Sequence, residues 1–275
     1  MKHAFLDQYS YRDSLVHRLD PRVKLVATLA FILAVTATPP TAWPAFSVLL
    51  IMVLGLIWAA HLSLMVGLRR SLIVIPFTVV VALSIPFTTA GEPLFRAHLF
   101  SWPLTITDQG LLLFWAIVLR AWLSVLAAGL LTATTHFVEL LRAMKSLGVP
   151  KAMVSVISFM YRYIFVLVDE AMRLAVARDS RSADPDGQGG GTLLWRAQVL
   201  GGMIGTLFLR SYERSERIYA AMLSRGFAGE IRTLEDTSLR QKDVLTLAAF
   251  LTLLVAVEVV THIYRLGIGD WGLGI

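Results

Sequence analysis

Five long apolar runs limit what this chain can fold into more than any other feature. Each run holds roughly 14–24 residues, and about 20 are needed for a helix to cross the ~30 Å hydrocarbon core of a bilayer. The chain is 56% apolar and 16% charged, whereas soluble domains are about 45–50% apolar and about 25% charged. The sequence therefore predicts an all-α polytopic membrane protein with about five transmembrane helices, at residues 23–36, 45–60, 72–87, 111–134 and 244–263.

A segment of different character lies between the fourth and fifth runs. It carries 15 of the 25 Lys and Arg residues and contains two stretches of intermediate hydrophobicity, 152–174 and 193–209, separated by a Gly-rich stretch at 185–191. Basic residues concentrate in the cytoplasmic loops of membrane proteins. With a cytoplasmic N-terminus, four spans return the chain to the cytoplasm at residue 135, and the weakly basic 88–110 loop lies outside.

The same charge rule decides how the chain divides. If 152–174 also crossed the membrane, Arg173, Arg178 and Arg181 would lie outside, against the rule. The alternative is that both stretches cross, which leaves the C-terminus on the same side. We predict three parts: an N-terminal cytoplasmic segment with transmembrane helices 1–4 (1–134), long helices at the cytoplasmic face (135–242), and the last transmembrane helix with the C-terminal tail (243–275).

No local motif indicates catalysis or a metal site. The chain lacks the G-x-x-x-x-G-K-[S/T], G-x-S-x-G and H-E-x-x-H motifs and has no clustered carboxylate pair. Its six histidines never stand three or four residues apart, and it has no cysteine. A metal site at Met1-Lys2-His3 is the local alternative, but any protein with a third-position His shares it. We therefore predict no catalytic residues, no metal ligands and no cofactor bound by this chain.

Two short motifs stand out in the basic segment, each with one Arg between small residues at the predicted end of a helix. They are Ser180-Arg181-Ser182 and Ser224-Arg225-Gly226. Small neighbours allow close docking, and a guanidinium group can form bidentate bonds with a carboxylate or with carbonyls. Alternatively, each Arg complements the helix dipole and Gly226 is an ordinary residue after a helix end. Because the arrangement occurs twice, the sequence favours docking of the two arginines to a partner as much as it favours ordinary helix ends.

Two further pairs are candidate sites. Gly201 and Gly205 form a G-x-x-x-G that allows two helices to cross closely, or that tolerates a bend. Arg120 and Glu258 lie inside the fourth and fifth apolar runs, where charges usually pair or line a polar cavity. We predict that Arg120 and Glu258 interact; the alternative is that they face different neighbours.

Several strings resemble the transmembrane (T) component of energy-coupling factor (ECF) transporters. They run in order along the chain: HRLDPRVKL at 17–25, LLTATT at 130–135, ELLRAMKSLGVP at 139–150, and YRYIF at 161–165 followed by DEA at 169–171. The two Arg motifs then fall where that family carries its two Ala-Arg-Gly-type signatures. The opening FLDQYS at 5–10 is similar to the cobalt-type branch, the cobalt transport permease Q family.

The resemblance implies a scaffold and coupling role in an ATP-driven importer. In this family the T component joins a substrate-binding membrane subunit, with or without a small accessory subunit, to two cytoplasmic ABC-type ATPases that bind ATP and Mg. Arg181 and Arg225 would each dock in a groove of one ATPase. This sequence departs from the pattern with Ser before each Arg and with Ser182 after the first. Arg178 is a competing alignment, less favoured because Asp179 would repel an acidic groove.

The resemblance also implies a place and a substrate. The chain would be a non-enzymatic, multi-pass protein of a prokaryotic cytoplasmic membrane, with its N-terminus inside, transporting cobalt or a related divalent metal and linked to cobalamin biosynthesis. Alternative substrates are nickel, biotin or another vitamin. A membrane-embedded enzyme acting on a phosphorylated lipid and an ordinary ABC importer subunit are competing hypotheses. The net charge of +6 favours protein partners first, then lipid head groups, and nucleic acid least.

Overall fold

The computed structural model describes residues 14, 16–62, 71–89, 93–99, 102–181, 192–229 and 240–269. Within these residues the chain is helical except for one β-hairpin and the connecting segments. The elements are α1 (Pro21–Ala37), α2 (Trp43–Ala59), α3 (Val74–Ala82), α4 (Ile85–Thr88), β1 (Pro93–Leu99), β2 (Trp102–Thr107), α5 (Asp108–Thr134), α6 (Phe137–Ser146), α7 (Lys151–Arg181), α8 (Leu193–Ser224) and α9 (Gln241–Gly269).

Helix α1 has clear start and stop signals in the sequence. The Asp20 carboxylate accepts a hydrogen bond of 2.8 Å from the backbone N–H of Arg22, and Pro21 occupies the first helical position. Both features are typical of a helix N-terminus. The helix stops at Thr38, because the following Pro39-Pro40 disfavours helical backbone in the residue before it.

The third apolar run is a helix interrupted by proline. It contains α3 and α4, with Pro86 in the first turn of α4. The following 88–110 segment contains β1 and β2, which pair antiparallel from Pro93 opposite Thr107 to Leu99 opposite Trp102. The sequence predicted only a loop here. The hairpin is the one exception to the all-α fold within the described residues.

Gly110 permits a close approach between the start of α5 and α4. A Cβ atom at this position would lie 2.7 Å from Thr107 Oγ1 and 2.8 Å from the Cα of Pro86, distances that require neighbouring atoms to shift. Thr107 also caps α5, because its hydroxyl accepts a hydrogen bond from the Gly110 N–H. Only glycine at position 110 therefore lets the third and fourth apolar runs pack this closely.

The apolar core is built from α1, α2, α5 and α9. Its buried members include one aromatic or aliphatic side chain from each helix: Phe31, Leu49, Leu123 and Leu254. Four of the five predicted spans therefore contribute to a shared core. Many other apolar side chains of these helices are exposed, as expected for surfaces that face lipid.

The described residues form two compact units, one that runs up to Ala143 and includes α9, and one that runs from Met144 through α7 and α8. Within the part of the chain that the structure describes, three helices are long and apolar enough to cross a membrane: α5, α7 and α9 up to Tyr264. Two shorter apolar helical stretches occupy Trp43–Ala59 and Val74–Thr88. The length and composition of α7 thus allow the alternative in which it also crosses the membrane. The three predicted parts of the chain stay a prediction.

Candidate docking site and intramembrane polar network

Helices α7 and α8 form an antiparallel pair. The rings of Phe159 and Phe227 lie 6.2 Å apart in an edge-to-face arrangement. Further along, the Arg210 guanidinium donates to the Glu170 carboxylate at 2.6 Å. Residues later in α7 contact residues earlier in α8, so the two helices run in opposite directions. The two Arg motifs, each at the C-terminal end of its helix, therefore lie at opposite ends of the pair. The 22 residues from Phe159 to Arg181 span about 33 Å at ~1.5 Å per residue.

Glu170 is the polar centre of this pair. It accepts hydrogen bonds from Arg173, one turn further along α7, and from Arg210 of α8. These two guanidinium groups, first Arg173 and then Arg210, hold the pKa of the Glu170 carboxyl below its usual range. The Glu170 side chain is only 16% exposed, whereas both arginines are more than half exposed. The contact therefore fixes the relative register of α7 and α8.

The second Arg motif sits in a well-defined helix end. Gly226 has φ +78°, and its N–H donates to the Leu223 carbonyl, while the Phe227 N–H donates to the Met222 carbonyl. These two bonds form the Schellman motif, which commonly ends a helix at a glycine. Arg225 is the C-cap residue and is exposed. Since Phe227 also packs on Phe159, the backbone that carries Arg225 is anchored to α7.

The first Arg motif lies at the end of α7. Arg181 is the last residue of that helix and is exposed, and Ser182 lies outside the described residues. Arg178, the competing residue, binds the Asp179 carboxylate with its Nε at 2.9 Å and its Nη2 at 2.6 Å. Among the described residues, no hydrogen bond or ion pair is formed by the guanidinium of Arg181 or Arg225.

The serine before each arginine bonds back to its own helix. The Ser180 hydroxyl donates to the Val176 carbonyl and the Ser224 hydroxyl to the Ala221 carbonyl, both at 2.9 Å. These bonds hold each serine against its helix. The serine hydroxyls therefore do not donate to the groups that the neighbouring arginines would bind.

Gly201 and Gly205 contact no other helix of the described part of the chain. No atom of the described residues lies within 4 Å of the position that a Cβ would take at either glycine. The contacts between α7 and α8 instead come from Glu170 with Arg210 and from Phe159 with Phe227. Large side chains therefore join α7 and α8, at positions nearer the C-terminus of α8 than the two glycines, and a helix crossing at the G-x-x-x-G stays a prediction.

Arg120 and Glu258 meet through a third residue rather than directly. Arg120 Nη2 donates to the backbone carbonyl of Thr38, and the Thr38 hydroxyl donates to Glu258 Oε1 at 2.6 Å. Thr38 is fully buried. The sequence identified both charges, but the bridging threonine is a short polar side chain at the end of α1 that no charge pattern indicates.

Lys24 is a buried cation that the sequence did not single out. Its ammonium donates to the carbonyl of His17 at 2.9 Å and to that of Thr134 at 3.0 Å, and the residue is 7% exposed. Asp20, Glu139 and Asp243 act electrostatically on its charge. A lysine in the first turn of an apolar helix is the signal that could have marked it, since charges within spans are usually functional.

Comparison with known proteins identifies the chain. The family model described as "CbiQ: Cobalt transport protein" matches residues 12–235. The chain belongs to this family. It is 32% identical over 235 residues to the energy-coupling factor transporter transmembrane protein EcfT of Thermanaerovibrio acidaminovorans, covering 82% of this chain and 84% of that protein.

Two other relatives extend the similarity over more of the chain. EcfT of Acidaminococcus fermentans is 31% identical over 264 residues, covering 91% of this chain and 94% of the relative. An uncharacterized protein of Methanocaldococcus jannaschii is 26% identical over 272 residues, covering 97% and 88% respectively. As a CbiQ/EcfT family member, the chain is the T component of an ECF transporter. It is a membrane component of a multi-subunit transporter and not an enzyme.

The family match covers some features of the site and not others. Residues 12–235 include Lys24, Arg120 and both Arg motifs. Glu258 lies beyond the matched segment. The segment that matches the family therefore contains Arg120, whereas Glu258 is supplied by α9, which lies outside the match.

Proposed function

We propose that this T component couples two cytoplasmic ATPases to a substrate-binding membrane subunit through Arg181 and Arg225. The observation that carries the proposal is the antiparallel α7–α8 pair, which presents one exposed arginine at each end. Arg225 lies next to the Phe159 end of α7, and Phe159 and Arg181 are about 33 Å apart along that helix at ~1.5 Å per residue. Two separated contacts on one stiff pair allow a change in the distance between two ATPases to tilt the pair. The tilt would then be passed to the membrane subunit.

The placement of α7 and α8 at the cytoplasmic face is supported by their pairing. The apolar part of α7 lies beside the C-terminal half of α8, as the contacts of Phe159 with Phe227 and of Glu170 with Arg210 indicate. That half of α8 carries five charged residues between 210 and 217. If α7 crossed the bilayer with α8 beside it, these charges would enter the hydrocarbon, which is costly. This placement agrees with a cytoplasmic N-terminus and a location in a prokaryotic cytoplasmic membrane.

Each docking arginine is proposed to bind an acidic groove of one ATPase. Arg181 is favoured over Arg178 because Arg178 already binds Asp179, whereas Arg181 is exposed and unengaged by the described residues. Truncating one partner of a buried charge pair at an interface typically costs about 2–5 kcal/mol of binding free energy. Losing both arginines would therefore remove most of the affinity between the chain and its ATPases.

A double charge reversal tests this assignment. The chain is co-expressed with its proposed ATPase and membrane-subunit partners, and ATPase co-purification is measured for Arg181→Glu/Arg225→Glu. We expect loss of the ATPases from a chain that still elutes as a folded protein in detergent. The matched control is Arg178→Glu/Arg214→Glu, which makes the same charge change at the competing arginine of α7 and inside α8, and which should retain the ATPases. Equal retention in both variants would refute the docking assignment.

We further propose cobalt or a related divalent metal as the substrate, with nickel, biotin or another vitamin as alternatives. The family description names cobalt transport, and the opening FLDQYS at residues 5–10 resembles the cobalt-type branch. In this proposal another membrane subunit selects the substrate, the ATPases bind ATP and Mg, and this chain binds no cofactor. Uptake of labelled cobalt, nickel and biotin by cells expressing the complete complex distinguishes these substrates.

A further inference from the structure

Two cations, the buried Lys24 and the half-buried Arg120, each bind the C-terminal end of a neighbouring helix. Lys24, in the first turn of α1, donates to the carbonyl of Thr134, the last residue of α5. Arg120, in the middle of α5, donates to the carbonyl of Thr38, the C-cap residue of α1. Each helix of the pair thus supplies the cation that satisfies the end of the other.

The two contacts share one antiparallel register. From Lys24 to Thr38 the chain advances 14 residues along α1, and from Thr134 to Arg120 it goes back 14 residues along α5. At ~1.5 Å per residue the two contacts lie about 21 Å apart along the helix pair. The pairing therefore holds α1 and α5 together at two levels, with apolar residues such as Phe31 and Leu123 between them.

The chemistry of helix ends explains why cations occupy these positions. The last four carbonyls of a helix have no intrahelical donor, and the helix dipole adds partial negative charge there. Within a membrane protein, water is not available to satisfy such groups in the hydrocarbon region. Lysine and arginine are side chains long enough to reach a neighbouring helix end and to bring the complementary charge.

We propose that Lys24 and Arg120 are positioning residues that form a reciprocal clamp, which keeps α1 and α5 as one rigid element against which the following coupling segment moves. The coupling part of this inference rests on the proposed function. Thr135 has extended backbone and separates α5 from α6. Because Lys24 fixes the carbonyl of Thr134, movement of the chain beyond α5 begins at Thr135.

The position of α6 gives the clamp a link to the coupling segment. Glu139, in the first turn of α6, acts on the charge of Lys24, as do Asp20 and Asp243 from the start of α1 and α9. Lys24 is therefore surrounded by the ends of four helices. A lysine with this environment senses a shift of α6, while its bond to the Thr134 carbonyl holds α1 to α5.

Hydrogen exchange on the full chain in detergent tests the clamp without any partner. We expect Lys24→Met to speed exchange about tenfold in the last turn of α5, residues 131–135, because loss of a charge-assisted hydrogen bond lets a helix end open. The last turn of α1 should be unchanged. Arg120→Met should give the reverse pattern, with faster exchange at 35–38 and no change at 131–135.

Matched variants separate the clamp from general destabilisation. Lys24→Arg and Arg120→Lys keep a donor and should restore slow exchange, and Arg22→Met removes a cation from the same turn of α1 without touching Thr134. A uniform rise in exchange at both helix ends in either methionine variant would overturn the proposal. So would failure of both conservative variants to restore protection.

The coupling role is tested separately in the assembled transporter. We expect Lys24→Met to retain the ATPases but to lower substrate uptake per ATP hydrolysed about tenfold, with recovery in Lys24→Arg. This ratio would not change if fewer molecules were folded, because uptake and hydrolysis would fall together. The coupling role of the clamp is overturned if each methionine variant speeds exchange at its own helix end but the uptake per ATP hydrolysed stays unchanged. If the unaltered chain binds no ATPase, the proposed function fails while the exchange result still decides the clamp.

Discussion

Replacement of Gly226 by alanine tests how the second Arg motif is built. Gly226 has φ +78°, and no neighbouring group of the described residues lies within 4 Å of the position of its missing Cβ. A side chain there meets no neighbour, so the whole effect of Gly226→Ala comes from its own backbone. Gly205 has equally open surroundings but helical backbone. Gly205→Ala is therefore a matched control for Gly226→Ala.

The magnitudes follow from the backbone conformations. A left-handed conformation costs an alanine roughly 1–2 kcal/mol through crowding of its Cβ against the following carbonyl oxygen. In a helix interior, alanine is instead more favourable than glycine by about 0.8–1.0 kcal/mol. Gly226→Ala should weaken the end of α8, and Gly205→Ala should strengthen the helix, with a difference of about 2–3 kcal/mol between the variants.

Hydrogen exchange at the Phe227 amide measures this difference locally, because that N–H donates to the Met222 carbonyl across the glycine. We expect faster exchange at Phe227 in Gly226→Ala, by at least about fivefold for a cost of 1 kcal/mol or more, and no acceleration in Gly205→Ala. ATPase co-purification should weaken only in Gly226→Ala, since only that variant redirects Arg225. Acceleration of the same size in both variants would refute the reasoning.

Two further substitutions probe the membrane part of the fold. Leu123→Ala removes a fully buried side chain from the core and should lower the free energy of unfolding, measured in mixed micelles, by about 2–5 kcal/mol. Leu33→Ala, at a position 70% exposed, should change that free energy by less than about 0.5 kcal/mol. Similar losses in both variants would contradict the placement of the core. Thr38→Val removes the hydroxyl bonded to Glu258 and should cost about 0.6–2 kcal/mol. Thr36→Val is its control, because the Thr36 hydroxyl bonds only within its own helix, and an equal cost in the two variants would argue against the bridge.

The helices of the membrane part could be predicted because their signals are local. Helices lie at all five of the apolar runs that the sequence shows, and Pro39-Pro40 and the Asp20 cap mark the ends of α1. The hairpin at 93–107 could not be predicted in the same way. Its strands lie in a segment that is short and of mixed polarity, and strand pairing depends on contacts between residues that are distant along the chain.

The candidate site was predictable only in part. Both Arg motifs end helices, as their small neighbours and Gly226 indicated. Arg120 and Glu258 were identified as unusual charges, but Thr38, which connects them, was not. Lys24 was overlooked because a lysine near the end of a span also fits an ordinary surface residue, and only its burial distinguishes the two cases.

The sequence by itself determined that the chain is a helical membrane protein, which family it belongs to, and where its exposed arginines stand. These properties depend on composition, periodicity and short strings, which act over a few residues. The tertiary structure alone decided that Arg120 and Glu258 meet on Thr38, that Lys24 binds the end of α5, and that Glu170 and Phe227 join α7 and α8. The physical reason is that buried polar groups need partners, and the packing of helices far apart in the chain determines which partners come within hydrogen-bonding distance.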